Sequence, residues 1–225
     1  KDAVTQAIVD DHVFYAQNRG IPPLREAIAE YSSTLIGRKI GVDRITASVS
    51  GMAAIMLTSE VLIDNGDNVV VVGPVWPNCK GTVFIIGGEA RTAPLRADEN
   101  GIWQLDLNDI RSRCDDRTRA VFVNSPGNPT GWIMEADQQR ELLAFTRERG
   151  IYLISDEVYI RLIYDRPRAP SFLDIAEPDD RVIVINSFSK TWSMTGWRLG
   201  WLTHPPDLGP DFSKLNEFNI ASPTT

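Results

Sequence analysis

A chain of 225 residues is long enough for one large domain or two small ones, and its 43% hydrophobic and 24% charged side chains are ordinary globular proportions. The net charge of −7, from 23 basic and 30 acidic side chains, argues against a broad nucleic-acid-binding face. Cys79, Cys114, His12 and His204 are too few and too scattered for a disulfide framework or a Cys/His metal site.

Pro22-Pro23 followed by Leu24, Ala27, Ile28, Tyr31 and Leu35 predicts a helix with prolines at its start. Ile45–Val49 predicts a short strand, after which Ser50-Gly51 opens an apolar helix to about Ile63. The run Val69–Val72 suits a strand buried on both faces. Trp76–Ile86 is expected to be helical, a strand is expected near Ala90–Pro94, and a short helix over Asp106–Arg113. Ala120–Asn124 is another apolar strand, Pro126–Gly131 a loop, and Glu135–Arg149 an amphipathic helix burying Leu142, Leu143 and Phe145 and closed by Gly150. Ile151–Ser155, Val182–Asn186 and Arg198–Thr203 complete the expected strands. Strands too apolar to face water, alternating with helices, predict a three-layer α/β/α domain with a mostly parallel sheet.

No apolar run approaches the roughly 18 residues of a membrane span, and Lys1–Asp11 does not read as a signal peptide. A cytoplasmic protein without membrane or nucleic-acid partners is therefore expected. The chain starts Lys1-Asp2-Ala3 and stops at Pro223-Thr224-Thr225, which reads as a piece of a longer protein.

Ligands in open α/β sheets bind beyond the carboxyl ends of the strands. Ser50-Gly51, Asn124–Gly131, Asp156–Tyr159 and Ser187–Lys190 each follow a predicted strand, so four strands deliver polar groups to one rim. Lys190 stands among Phe188, Trp192 and Trp197, where poor solvation disfavours the ammonium form and suits an amine that must attack a carbonyl. Ser50-Gly51-Met52 lies at a helix start whose free N–H groups can hold a phosphate. By themselves, Asn128 in Asn-Pro-Thr-Gly reads as a well-made turn, Asp156 as a solvated strand end and Trp76 as core.

The segment Ser189-Lys190-Thr191-Trp192-Ser193-Met194-Thr195-Gly196-Trp197-Arg198-Leu199-Gly200 closely resembles the lysine signature of the class I/II aminotransferases, which depend on pyridoxal 5'-phosphate (PLP). The resemblance runs from Tyr15 past Gly200 with its landmarks in order. It implies a PLP-dependent transferase-like large domain that moves an amino group between an amino acid and a 2-oxo acid by a ping-pong route through a Lys190 Schiff base. It also implies that Asp156 keeps the pyridine nitrogen protonated, that Tyr159 and Asn128 contact the ring oxygen, and that Trp76 stacks on the ring. Ser50, Gly51, Met52, Ser187 and Arg198 would hold the phosphate, with Ser189 beside them; Met52 departs from the family's usual small or polar residue, leaving it a backbone contact. Tyr15 resembles a tyrosine lent to the neighbouring subunit's phosphate, which implies a homodimer in which roughly residues 1–20 serve the interface, although an interface tyrosine without that contact reads nearly as well. The family's arginine for the substrate α-carboxylate belongs to a small domain beyond residue 225. A PLP-dependent C–S β-lyase or related synthase on the same fold shares these residues, and an aminotransferase-like effector domain of a transcriptional regulator is the rival from another class.

Overall fold

Alternation decides the layers. In a computed structural model describing residues 2–223, the central strands are β2 (Asn68–Gly73), β5 (Thr118–Asn124), β6 (Tyr152–Asp156) and β7 (Val182–Ser187), almost wholly buried. Val70, Val72, Val121, Val123, Leu153, Val182 and Val184 feed one apolar cluster. Their sequence neighbours Val69, Val71, Ala120, Phe122, Ile154, Ile183 and Ile185 feed a second. Successive side chains of a strand point to opposite faces, so the two clusters are the two sides of one sheet.

The first cluster is covered by α2 (Pro22–Ile36) through Ile28 and by α6 (Ala136–Arg149) through Leu142 and Leu143. The second is covered by α3 (Gly51–Leu62) through Ile55, α4 (Asn78–Ile85) through Val83 and α8 (Gly209–Ile220) through Phe212. Two further short helices are α1 (Asp2–Val9), which buries none of its side chains, and α5 (Leu107–Arg111), capped by Asp106. No helix among the described residues is long and apolar enough to cross a membrane.

The remaining strands are β1 (Ile45–Ser48), β3 (Glu89–Ala97), β4 (Trp103–Leu105) and β8 (Gly200–Thr203), and the eight strands lie in the order β1-β8-β7-β6-β5-β2-β3-β4. Strands β3, β2, β5, β6 and β7 are parallel, whereas β8 runs against both β7 and β1. Two reversals restore the direction, so β1 points the same way as β7. The carboxyl ends of β1, β2, β5, β6 and β7 therefore meet at one edge, as the sequence predicts for the polar segments.

Element types follow the sequence reading, with shifted boundaries. The expected helix over Trp76–Ile86 begins only at Asn78, which leaves Trp76 in a loop at the rim. The last strand starts at Gly200 rather than Arg198, because Arg198 occupies the left-handed region (φ 51°, ψ 54°) and breaks the extended run. On α6, Gln139 and Thr146 join Leu142 and Leu143 inside, while Phe145 is only partly buried.

Candidate active site

Lys190 reaches the rim on a single helical turn, α7 (Phe188–Thr191), which starts where β7 ends. Ser187 caps that turn, its Oγ accepting the Ser189 N–H at 3.1 Å. Behind the turn, Phe188, Trp192, Trp201 and Tyr31 pack ring against ring with centroids 5.0–6.2 Å apart, which fixes the turn on the sheet. The Lys190 Nζ lies 5.5 Å from the centre of the Tyr159 ring and donates no hydrogen bond to a described residue.

Asp156 closes β6. Its side chain is buried, with a relative exposure of 7%, and among the described residues its carboxylate accepts only the Val158 N–H, at 3.3 Å. Burial pushes this carboxyl up to about 7, opposed by the Val158 N–H and the positive charge of Lys190. Such a group is an incomplete pair: it calls for a donor or cation in the space it faces.

Asn128 stands on the loop after β5. Its backbone N–H donates to Asn124 Oδ1 at 2.8 Å, and its carbonyl accepts the Trp76 N–H at 2.8 Å. The carboxamide of Asn128 is left free of protein partners among the described residues, and the second bond brings the Trp76 loop onto the Asn128 loop.

At the other end, Ser50 caps α3, its Oγ accepting the Ala53 N–H at 3.0 Å, and the first turn-closing bond is Ala54 N–H to Ser50 O. The N–H groups of Gly51 and Met52 precede that bond and belong to the positive end of the helix. Strand β8 crosses directly beneath. A Cβ on Gly200 would sit 2.6 Å from the Gly51 nitrogen, so only glycine there lets the two backbones approach, and one on Gly51 would sit a tight 3.2 Å from Ser187 Cβ. Arg198 is steadied by donating to Thr195 O at 2.8 Å.

All these groups surround one cavity of about 380 Å³. It is lined by Ser50, Gly51, Met52, Trp76, Asn128, Asp156, Tyr159, Ser187, Ser189, Lys190 and Arg198, eleven of the twelve positions singled out from sequence. Tyr15 is the exception: it is exposed and lies away from its own chain's cavity. Four lining residues are not singled out by the sequence as site residues, namely Ile55, Asn124, Val158 and Thr195, although Asn124 and Val158 fall within the predicted rim segments. Asn124 carried a signal, being the polar last residue of an otherwise apolar strand; Thr195 sits inside the lysine signature.

The sequence pattern of aminotransferase class I and II matches residues 3–223. The chain belongs to the class I and II aminotransferases. Members of this family depend on pyridoxal phosphate. Among curated relatives of this aminotransferase chain, a probable aspartate/prephenate aminotransferase of Aquifex aeolicus is 32% identical over 229 residues, covering 100% of the chain but 57% of the relative. The crystal structure of aspartate aminotransferase from Thermotoga maritima superposes with a TM-score of 0.92 at 32% identity, over 98% of this chain and 58% of that one. An Escherichia coli protein with a methionine aminotransferase function superposes with a TM-score of 0.93 at 25% identity, over 100% and 59%. The chain thus spans a little over half the length of these aminotransferases.

The cavity fits the family's cofactor on its own chemistry. A buried carboxylate with a single weak backbone donor suits a protonated pyridine nitrogen, and an amine without a protein partner suits an aldehyde. The glycine-lined helix start with Ser50, Ser187 and Arg198 suits a phosphate.

Proposed function

We propose that these residues form the PLP-binding part of an aminotransferase that moves an amino group between an amino acid and a 2-oxo acid. The observation that carries the reading is that Lys190 and the buried Asp156 line one cavity together with the start of α3, Ser187 and Arg198.

When bound, PLP supplies an electron sink for bonds breaking at the substrate α-carbon. The chain's residues do the rest. The Asp156 carboxylate, too buried to be solvated, holds a proton on the ring nitrogen; a cation opposite it opposes the burial that otherwise raises its pKa. Lys190, whose amine has no hydrogen-bond partner among the described residues, would hold the cofactor's aldehyde carbon and would carry a proton to and from the substrate α-carbon. Ser50, the Gly51 and Met52 amides, Ser187, Ser189 and Arg198 anchor the phosphate; Arg198 carries a fixed positive charge and a bidentate fork. Tyr159 and Asn128 hold the ring oxygen, and Trp76 covers the ring face.

The active unit is a homodimer, with Tyr15 of each subunit directed to the other's phosphate. Its exposure, with that of Val13 and Phe14 beside it, supports a role outside its own cavity.

Borohydride reduction of the full-length protein loaded with PLP, followed by peptide mapping, tests the reading. The label is expected on Lys190, with Lys190→Ala losing both the label and the visible absorption band. A label on another side chain would overturn it.

A further inference from the structure

The sheet opens at the site because β5 and β6 part company there. Asn124 and Asp156 are the last paired residues of the two strands. Beyond them β5 turns into the loop bearing Asn128, while β6 runs into the turn bearing Tyr159. A gap between two strand ends leaves backbone groups to be satisfied by something other than the ladder.

The Asn124 side chain fills that role. It is buried (relative exposure 5%), its Nδ2 donates to the Asp156 carbonyl at 3.1 Å, and its Oδ1 accepts the Asn128 N–H at 2.8 Å. The Asp156 carbonyl also accepts the Ser125 N–H at 3.1 Å, so both bonds converge on the residue whose carboxylate faces the cavity. One partner is a carbonyl and the other an N–H, so the side chain must offer a donor and an acceptor at the same distance from Cα. Asparagine does so; an ionised aspartate offers only acceptors, and an apolar residue offers neither.

We propose that Asn124 is a positioning residue for the cofactor: its carboxamide locks the Asp156 end of β6 to the Asn128 loop, and so fixes the spacing between the two side chains that grip the ring. The proposal rests on the reading of the cavity as a PLP site. Asn124 touches the backbone of both gripping residues, and through the Trp76 N–H to Asn128 O bond the same lock extends to the aromatic side chain at the rim. Losing it lets Asp156 and Asn128 move independently, which loosens the ring without removing a group that contacts it.

The test uses full-length holoenzyme carrying Asn124→Asp or Asn124→Ala, with Thr146→Ala as a stability control. Thr146 is a buried hydroxyl on α6 that bonds the Leu143 carbonyl, remote from the cavity. Asn124→Asp is close to isosteric: it keeps the acceptor for Asn128 and sets an oxygen against the Asp156 carbonyl. Three quantities are read: thermal midpoint, PLP dissociation constant by quenching of tryptophan fluorescence, and the pH midpoint of the bound cofactor's visible band. Both Asn124 variants are expected to bind PLP roughly tenfold more weakly or worse and to shift the pH midpoint, while Thr146→Ala lowers only the thermal midpoint. Should Asn124→Ala fail to fold, Asn124→Asp alone decides. Variants that melt earlier yet keep the wild-type dissociation constant and pH midpoint would reduce Asn124 to a structural residue and overturn the proposal. Wild-type protein that takes up no PLP would overturn the cavity reading itself, and is told apart by being visible without any variant.

Discussion

Asp156 and Glu157 are neighbours that face opposite ways, as consecutive residues leaving a strand do. Asp156 faces the cavity. Glu157 is buried on the other side, where its Oε1 accepts the Ser155 hydroxyl at 2.9 Å and the Phe172 N–H at 3.1 Å, while its Oε2 has no hydrogen-bond partner among the described residues. Burial pushes both carboxyls up to about 7. Both then hold a proton in the folded state at pH values where the unfolded chain has lost it, so stability is present below about pH 4 and lost as pH rises towards 7. Urea unfolding of the full-length apoprotein should give a lower free energy at pH 8 than at pH 5. Glu157→Gln, which cannot ionise, should shrink that difference by about 1–3 kcal/mol; an unchanged difference would show that Glu157 ionises normally. Asp156 was legible in the sequence only through the family resemblance, since by itself it reads as a solvated strand end. The surroundings of Glu157 were not, since Phe172 comes from a segment whose route across the fold no local pattern specifies.

At the scale of elements, the parallel strands announced themselves as apolar runs and β4 did not. Trp103–Leu105 is three residues long, pairs only with β3 at the edge of the sheet, and carries too few alternations to register as a pattern. The apolar runs also said nothing of strand direction, so the reversal at β8 was invisible although it decides which end of β1 faces the site. Gly200 is where that arrangement is most exposed to change. Gly200→Ala places a methyl group against backbone atoms of Ser50 and Gly51 that cannot swing away, unlike the end of a flexible side chain. It should destabilise the full-length protein by about 1–3 kcal/mol, seen as a lower urea midpoint, and weaken PLP binding. Gly196→Ala, at a position with open space around its Cβ direction, is the matched control and should do neither.

Across the whole molecule, exposed apolar side chains such as Phe84, Ile85, Ile102 and Phe218 are scattered along the chain, whereas near the amino end Val4, Ile8, Val9, Val13, Phe14 and Tyr15 are exposed close together in sequence. The chain becomes anchored just after them: the Ala16 N–H donates to Ser222 Oγ at 3.1 Å, and Arg19 bonds Thr46 Oγ1 and the Ile45 carbonyl, each at 3.0 Å. A contiguous apolar stretch of this kind marks a surface meant to be covered. The proposed homodimer predicts twice the monomer mass for the full-length protein in sedimentation at micromolar concentration. It further predicts that Tyr15→Phe weakens PLP binding without altering that mass. A monomer with intact PLP binding would remove Tyr15 from the site.

The place of β8 in the sheet governs when the protein acquires its chemistry. Among the described residues β1 pairs with β8 alone, and β8 is synthesised some 150 residues after β1. Until it slides between β1 and β7, no strand pairing ties β1 to β7, and the helix start at Ser50 is held near Lys190 only by packing such as that of Gly51 against Ser187. A ribosome-bound chain that has not yet extruded Thr203 should therefore retain no cofactor, however well its earlier strands have formed.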